Sequence, residues 1–187
     1  MTGVQTCALP IYIDYAGPFH GYYFLVVVDS TTKWLEVFKT KSISAETTIS
    51  LLRSCFARLG LPAVLVSDNG TSFTSATFKS YISSLGVNHV TTPVYSPSCN
   101  GAAERAVRTF KEGFHIPEGE GDIQKVLDQF LFRYRVTPHS TTGVSPTELM
   151  FGRRVRTVFD VLQPSYKVQK KVQAQTSKMQ NRSKGKI

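Results

Sequence analysis

The chain has 187 residues, of which 41% are hydrophobic and 19% charged, a composition that fits one globular domain with little room for a second. Its longest apolar stretch, residues 22–28, is far shorter than the roughly 18 apolar residues of a membrane span, which excludes a transmembrane protein. Three widely spaced cysteines without a CxxC pair exclude a disulfide scaffold and a cysteine-based zinc module, and they predict a reducing compartment.

The net charge of +9 is concentrated at one end of the chain. Residues 1–149 carry 12 basic and 12 acidic side chains, whereas residues 150–187 carry 10 basic side chains and a single acid, Asp160. A neutral domain with a basic, Gln/Ser/Lys-rich tail is typical of a nucleic-acid-binding arm, because such a tail neutralises phosphates without a fold of its own. A solvated end without a binding role is the other interpretation of these charges.

The first eleven residues show no usable periodicity, and Pro10 cannot donate a hydrogen bond to a strand ladder. The segment TGVQTCALPI is similar to a translated sequencing adapter. We therefore expect residues 1–11 to be a non-native leader, residues 12–149 to form the folded core and residues 150–187 to be a largely disordered basic linker and tail.

Hydrophobic periodicity predicts a succession of strands and helices. Residues 13–15, 22–29 and 34–39 are predicted as a three-stranded antiparallel meander, followed by a helix that Ser44 caps and Gly60 ends. Further strands are predicted at 63–66 and 87–91, a loop at 92–100, and helices from residue 75, at 100–112, at 122–135 and after Ser145. Since helices connect the later strands, these should be parallel. The prediction is an α/β fold with a five-stranded mixed sheet flanked by helices.

Three acidic residues fall at the ends of predicted elements: Asp14 in the first strand, Asp68 directly after the fourth, and Glu104 in a helix. Asn69 and Gly70 are predicted to form the turn that presents Asp68. If strands one and four are neighbours, the two aspartates lie near one edge of the sheet, beside the helix. Three close carboxylates repel one another unless cations share them, and oxygen ligands favour Mg²⁺ or Mn²⁺. Three unrelated surface acids are the alternative interpretation.

Long segments of the chain resemble the retroviral integrase catalytic core, a member of the RNase H-like superfamily, and in particular the integrases of Ty3/gypsy-type retrotransposons. These segments are IDYAGPF, FLVVVDSTTKW, GLPAVLVSDNGTSFTS, NGAAERAVRTFKEG and YRVTPHSTTGVSPTELMFGRRVRT. The resemblance covers about residues 13–156 and implies an RNase H-like fold. It also implies that Asp14, Asp68 and Glu104, with 35 residues between the last two, are the D,D(35)E catalytic triad and bind two Mg²⁺ or Mn²⁺ ions.

The resemblance further implies contacts with DNA. Arg108 and Lys111 follow Glu104 on one helical face, where they would bind phosphates of the donor DNA end, although a solvated charged face remains the alternative. The other implied DNA contacts are Tyr95, Asn100, Arg105, Arg153 and Arg154. For Tyr95, stacking on a base and packing within the protein both stay open.

The function that this resemblance implies is DNA integration. The enzyme would be a polynucleotidyl transferase that trims the 3′ ends of retroelement DNA and joins them to a target duplex, as a homodimer or higher oligomer in the nucleus, with no membrane partner. Two alternatives remain: a ribonuclease H, which would require a different pattern of acids, and a catalytically silent fragment or domesticated DNA-binding protein.

Overall fold

The structure is a computed structural model that describes residues 10–92 and 97–162, with only the backbone described for residues 97–104. The chain divides into two compact units, Met1–Arg153 and Arg154–Ile187. The strands of the first unit are β1 (Ile11–Phe19), β2 (Tyr22–Asp29), β3 (Leu35–Thr40), β4 (Val64–Ser67) and β5 (Asn88–Thr91). Its helices are α1 (Ala45–Leu59), α2 (Thr71–Thr74), α3 (Ala76–Ser84), α4 (Pro97–Gly113), α5 (Ile123–Val136) and α6 (Pro146–Phe151).

The five strands form one mixed sheet in the order β3-β2-β1-β4-β5. The first three strands are an antiparallel meander, and β4 and β5 add to β1 in parallel. The predicted fold class is therefore confirmed, including the adjacency of strands one and four. Helix α1 makes the crossover from β3 to β4, and α3 makes the crossover from β4 to β5, as parallel pairing requires.

Strand β1 is longer than the predicted 13–15. Ile11 pairs with Asp29 on one side and with Leu65 on the other, and the amide of Ser30 donates to the carbonyl of Pro10. Proline lacks an N–H group but keeps its carbonyl acceptor, so the ladder can begin directly beside it. Ile11, which we assigned to the leader, thus belongs to the sheet, whereas residues 1–9 lie outside the described part of the chain.

The sheet is covered on both faces because side chains alternate along its strands. Ile13 and Leu25 face α1 and α3, whereas Ala16, Phe24 and Val26 face α4 and α5. On the second face the ring of Phe24 lies 5.2 Å from that of Phe110 in α4. Helix α4 is therefore held against the face of β1 and β2 that carries Tyr12, Asp14 and Ala16.

Side-chain caps explain where several helices begin. Ser44, Ser75, Asp122 and Ser145 each accept a hydrogen bond from a backbone amide in the first turn of the helix that follows. The predicted caps at Ser44 and Ser145 are confirmed. Helix α4 begins at Pro97, three residues before the predicted start, because proline is well tolerated in a first helical turn, where the amides have no intrahelical acceptor.

A buried acid joins β3 to α5. Glu36 is 6% exposed, and its carboxylate accepts from the indole of Trp34 at 3.0 Å and lies 3.0 Å from the guanidinium of Arg135. Arg135 also stacks 4.3 Å above the Trp34 ring and donates twice to the carbonyl of Leu35. Both charged groups of this buried ion pair thus form hydrogen bonds with other parts of the protein, which offsets the cost of burying them.

The second unit is described as far as Leu162. It contains α7 (Val158–Leu162), before which Thr157 donates its amide to the Asp160 carboxylate at 2.8 Å. Residues 150–187 were predicted to be a largely disordered linker and tail, but α6 continues to Phe151 and α7 is helical. The rest of the predicted tail, residues 163–187, lies outside the described residues. Within the two described stretches, no helix combines the length and apolar character that crossing a membrane demands.

Candidate active site

Asp14 lies in β1, and Asp68 directly follows the neighbouring strand β4. Parallel strands β1 and β4 pair Ile11 with Leu65 and Tyr12 with Val66, and the same register carried forward places Asp14 opposite Asp68. Asp14 follows Tyr12 and precedes Ala16 on the α4 side of the sheet, and Asp68 follows Val66 by the same two-residue step. This register supports the prediction that the two aspartates lie near each other, and each is half-buried.

The turn after β4 holds Asp68 through its neighbours. The amide of Gly70 donates to Asp68 Oδ1 at 2.9 Å, and Asn69 Nδ2 donates to the carbonyl of Thr92 at 2.8 Å. Thr92 in turn donates its amide to the carbonyl of Ser67 at 3.0 Å. The predicted turn at Asn69 and Gly70 is present, and it is tied to the residue that follows β5.

Asp14 lies beside a tyrosine that packs into the opposite face of the sheet. The amide of Tyr15 donates to Asp14 Oδ1 at 2.7 Å. The Tyr15 hydroxyl is 2.9 Å from Thr48 Oγ1 of α1, and its ring stacks 5.7 Å from Phe73. Burial raises the pKa of Tyr15, so its hydroxyl stays protonated at neutral pH. These contacts of Tyr15 hold the strand directly after Asp14 in place.

Helix α4 carries Glu104 over the face of the sheet from which the two aspartates project. It packs against β1, β2 and β4, and the residues that it buries after Glu104 are Ala106, Val107 and Phe110. The backbone at Glu104 and at Asn100 is helical, but their side chains are not among those described. Tyr95 lies outside the described residues, so its two interpretations are not distinguished.

The predicted DNA contacts on α4 divide between two depressions of the surface. Arg105 and Arg108 are exposed and line a depression of about 420 Å³ with Lys33 and His139. Lys111, although also exposed, lines another depression of about 490 Å³ at the β1–β2 hairpin. Arg108 and Lys111, three residues apart on one face of α4, thus border two different depressions.

The remaining predicted DNA contacts lie at the boundary between the two units. Arg153 is the last residue of the first unit and Arg154 is the first residue of the second, and both are exposed. Their exposure leaves both guanidinium groups accessible to a phosphate.

The donor set suits a hard divalent cation. Asp14 and Asp68 present carboxylate oxygens from level positions, and one oxygen of each already accepts a backbone amide, which orients the group. Carboxylate oxygens are the ligands that Mg²⁺ and Mn²⁺ prefer. Among the side chains that are described, no three His, Cys, Asp or Glu gather into a metal site, and the side chain of Glu104 is outside that set. The residues present fit such an ion as two of its protein ligands.

Sequence reasoning missed the residues behind Asp68. Ser67 Oγ lies 2.9 Å from His89 Nε2 and donates to the carbonyl of Asp68 at 2.8 Å. Nothing in the local sequence of His89 indicates this contact, because it depends on the register between β4 and β5. The only available signal was the position of Ser67 directly before Asp68.

Comparisons with known proteins identify the family to which the chain is similar. A family profile described as the integrase core domain matches residues 10–97. The chain is 49% identical over 162 residues to the uncharacterized protein K02A2.6 of Caenorhabditis elegans, covering 86% of this chain and 13% of that protein. It is 37% identical over 138 residues to the Pol polyprotein of Radiation murine leukemia virus (strain Kaplan), covering 71% of this chain and 24% of the polyprotein. It thus spans a quarter or less of these relatives.

A solved structure supports the same assignment at the level of the fold. The HTLV-2 integrase catalytic core domain, determined in complex with magnesium in a trimeric form, superposes with a TM-score of 0.63 at 19% identity. The superposition covers 76% of this chain and 96% of the viral domain. The chain is therefore a member of the integrase core family and has the fold of the retroviral integrase catalytic core.

Proposed function

We propose that this chain is a metal-dependent polynucleotidyl transferase that trims the 3′ ends of retroelement DNA and joins them to a target duplex. The observation that carries the proposal is the parallel pairing of β1 with β4, which sets Tyr12 beside Val66 two residues before Asp14 and Asp68. Helix α4, which bears Glu104, packs against both strands. Membership of the integrase core family supports the class of reaction. The magnesium in the related HTLV-2 structure supports the class of cofactor.

In this proposal Asp14, Asp68 and Glu104 would hold two Mg²⁺ or Mn²⁺ ions. When bound, such ions activate the attacking oxygen and stabilise the leaving oxygen of a phosphodiester. The chain itself supplies orientation: the Gly70 amide aligns one Asp68 oxygen, and the Tyr15 amide aligns one Asp14 oxygen. Aligned carboxylates matter because displacement chemistry depends on positioning.

No covalent intermediate with the protein is part of this mechanism, and the described cysteine fits that view. Cys55 is 2% exposed, and burial, followed by the charge of Glu36, raises the pKa of its thiol to about 12. A buried thiol with so high a pKa supplies almost no thiolate at neutral pH. A water molecule in end trimming, and the resulting 3′ hydroxyl in strand transfer, are the nucleophiles of the proposed reaction.

DNA is the proposed partner of the charged surface. Arg105, Arg108 and Lys111 on α4 would contact phosphates of the donor end, together with Asn100 and Tyr95. Arg153, Arg154 and the basic residues of the tail would contact phosphates further along the DNA. The trimeric form of the HTLV-2 core supports the proposal that several copies act together. The nucleus is the proposed compartment, because the target duplex of this proposed reaction lies there.

The test uses a branched DNA that mimics the strand-transfer product. The full chain should cleave and rejoin this substrate with Mn²⁺ or Mg²⁺ and be inactive in EDTA, and Asp68→Asn should abolish turnover. Asp128→Asn, an isosteric change at an exposed acid of α5, is the matched control and should retain activity. Equal turnover in EDTA, or full activity of Asp68→Asn, would refute the proposal. DNA binding without turnover would favour the silent DNA-binding protein, and cleavage of RNA in a hybrid would favour the ribonuclease H.

A further inference from the structure

A hydrogen-bonded pair lies directly behind Asp68, on the opposite face of the sheet. Ser67, the last residue of β4, is fully buried, and its hydroxyl donates to the carbonyl of Asp68 at 2.8 Å. His89 Nε2 of β5 is 2.9 Å from the same hydroxyl oxygen. Neither side chain takes part in the proposed reaction itself, yet both bear on the backbone of a proposed metal ligand.

The direction of each hydrogen bond follows from the available protons. A serine hydroxyl has a single proton, and the carbonyl of Asp68 has none, so Ser67 must donate to Asp68. Ser67 Oγ can then only accept from His89, which requires a proton on Nε2. Burial, followed by the charge of Lys79, lowers the pKa of His89 and favours its neutral form at pH 7. His89 is therefore the neutral Nε2–H tautomer.

The imidazole is itself held in place from two directions. Pairing of β4 with β5 sets His89 opposite Leu65, two residues before Ser67. The ring packs edge-on against Phe78 of α3, with 5.4 Å between ring centroids. A donor fixed by both the sheet and the helix layer can hold the Ser67 hydroxyl in one rotamer.

These contacts restrain Asp68 from both ends. Its carbonyl is held by Ser67, while its carboxylate oxygen Oδ1 accepts the amide of Gly70 at 2.9 Å. The carbonyl of Ser67 accepts from the Thr92 amide at 3.0 Å, so the peptide before Asp68 is also tied to the sheet. The orientation of the peptide planes on either side of a residue sets the direction of its Cα–Cβ bond, and hence where its carboxylate points.

We propose that Ser67 and His89 are positioning residues that orient the carboxylate of Asp68 for metal binding through its backbone carbonyl. This inference rests on the proposed function, in which Asp68 is a metal ligand. Hydrogen bonds that orient metal ligands typically contribute 10- to 100-fold to metal affinity or activity. Because this pair acts through the backbone, we expect an effect of about 10-fold, at the lower end of that range.

The experiment measures Mn²⁺ affinity of the full chain by calorimetry, alongside turnover of branched DNA as a function of Mn²⁺ concentration. Ser67→Ala and His89→Leu should each weaken Mn²⁺ binding about 10-fold, and the double variant should be no worse than either, because both break the same chain of hydrogen bonds. His89→Gln, whose amide can donate from nearly the position of Nε2, should restore most of the affinity. Ile82→Val, on the buried face of α3, is the control for a general loss of stability and should leave Mn²⁺ affinity unchanged.

Several results would overturn the inference. They are unchanged Mn²⁺ affinity in Ser67→Ala, an equal loss of affinity in Ile82→Val, and a ¹⁵N spectrum with the His89 proton on Nδ1 at neutral pH. Asp68→Asn separates this failure from that of the proposed function. If Asp68→Asn loses Mn²⁺ while Ser67→Ala keeps it, only the positioning role is wrong. If Asp68→Asn binds Mn²⁺ as tightly as the parent, both proposals are wrong.

Discussion

Asp14 lies two residues beyond Tyr12 in β1, and Asp68 lies two residues beyond Val66, directly after β4, in the register that pairs Tyr12 with Val66. The backbone pairing between these strands involves Ile11 and Tyr12, the first two residues of β1. The relative position of the two carboxylates therefore depends on a short stretch of ladder next to Pro10, and on the turn that follows Ser67. Changes at either place should therefore affect turnover.

Gly70→Ala should disturb Asp68 with little effect on folding. A Cβ at this position would lie 3.0 Å from Asp68 Oδ1, while the backbone φ of −55° is ordinary for alanine. The carboxylate must shift by a few tenths of an ångström, and we expect turnover of branched DNA to fall up to about tenfold. Gly121→Ala is the control, because an added Cβ there meets no atom within 4 Å. Unchanged turnover with Gly70→Ala would contradict the proposed role of this turn.

Pro10→Val should strengthen the start of β1. The amide of Ser30 donates to the carbonyl of Pro10. Two residues paired in this way on antiparallel strands normally exchange two hydrogen bonds, but Pro10 has no N–H with which to donate the second one to Ser30. The missing hydrogen bond is worth about 1 kcal/mol, which corresponds to a rise in Tm of roughly 2–4 °C for a chain of this size. Thermal melting checks the prediction, with Pro62→Val in the loop before β4 as the control. A rise in turnover with Tm would show that the start of β1 limits the placement of Asp14, and no gain in either would mean that it does not.

Glu36→Ala should destabilise the fold strongly. It leaves Arg135, whose side chain is 20% exposed, without its carboxylate partner and removes the acceptor of the Trp34 indole. Removing one partner of a buried ion pair costs about 3 kcal/mol or more, which urea unfolding can measure. Glu120→Ala breaks the surface pair with Lys125 and should leave the unfolding midpoint unchanged. Equal effects of the two substitutions would show that burial of Glu36 contributes nothing.

Stability should fall as the pH is lowered through the range in which His139 titrates. Burial, followed by the charge of Lys33, lowers the pKa of His139 in the folded chain. Between that value and the unfolded value of about 6.5, the unfolded state binds the proton more readily, so stability is full above about pH 6.5 and is lost as the pH falls. His139→Asn, which keeps an acceptor for the Thr141 amide, should show a smaller drop in Tm between pH 7.5 and 5.5. The same drop in parent and variant would contradict the assignment.

Arg105→Ala with Arg108→Ala should weaken DNA binding and reduce its dependence on salt. Both residues line one depression on α4 with Lys33. The slope of log K against log salt is negative, and each DNA phosphate that they no longer neutralise should reduce its magnitude by about 0.9 on duplex DNA. Fluorescence anisotropy at several salt concentrations measures this slope. Lys125→Ala on α5, which removes a basic side chain already paired with Glu120, is the control. A parent-like slope in the double variant would favour the interpretation of these arginines as a solvated surface.

Much of the fold was predictable because its signals are local. The apolar run of residues 22–28, the helical spacing after Ser44 and the caps at Ser44 and Ser145 each involve residues within a few positions of one another. These short-range patterns reflect side-chain geometry and the unpaired amides of a first helical turn. The predicted fold class followed from their order along the chain.

The arrangement of the candidate site was less predictable than the secondary structure, because it depends on contacts between distant segments. The sequence by itself determined which residues are the candidates for the chemistry, since the motifs around Asp14, Asp68 and Glu104 resemble those of the integrase core. Only the tertiary structure decided that β1 and β4 pair in the register that sets Tyr12 beside Val66, and that β5 brings His89 to Ser67. It also decided that the charged residue Glu36 is buried, and that Arg108 and Lys111 border different surfaces. The physical reason is that strand partners and burial are chosen by packing between segments far apart in the chain, which the periodicity of any one segment does not specify.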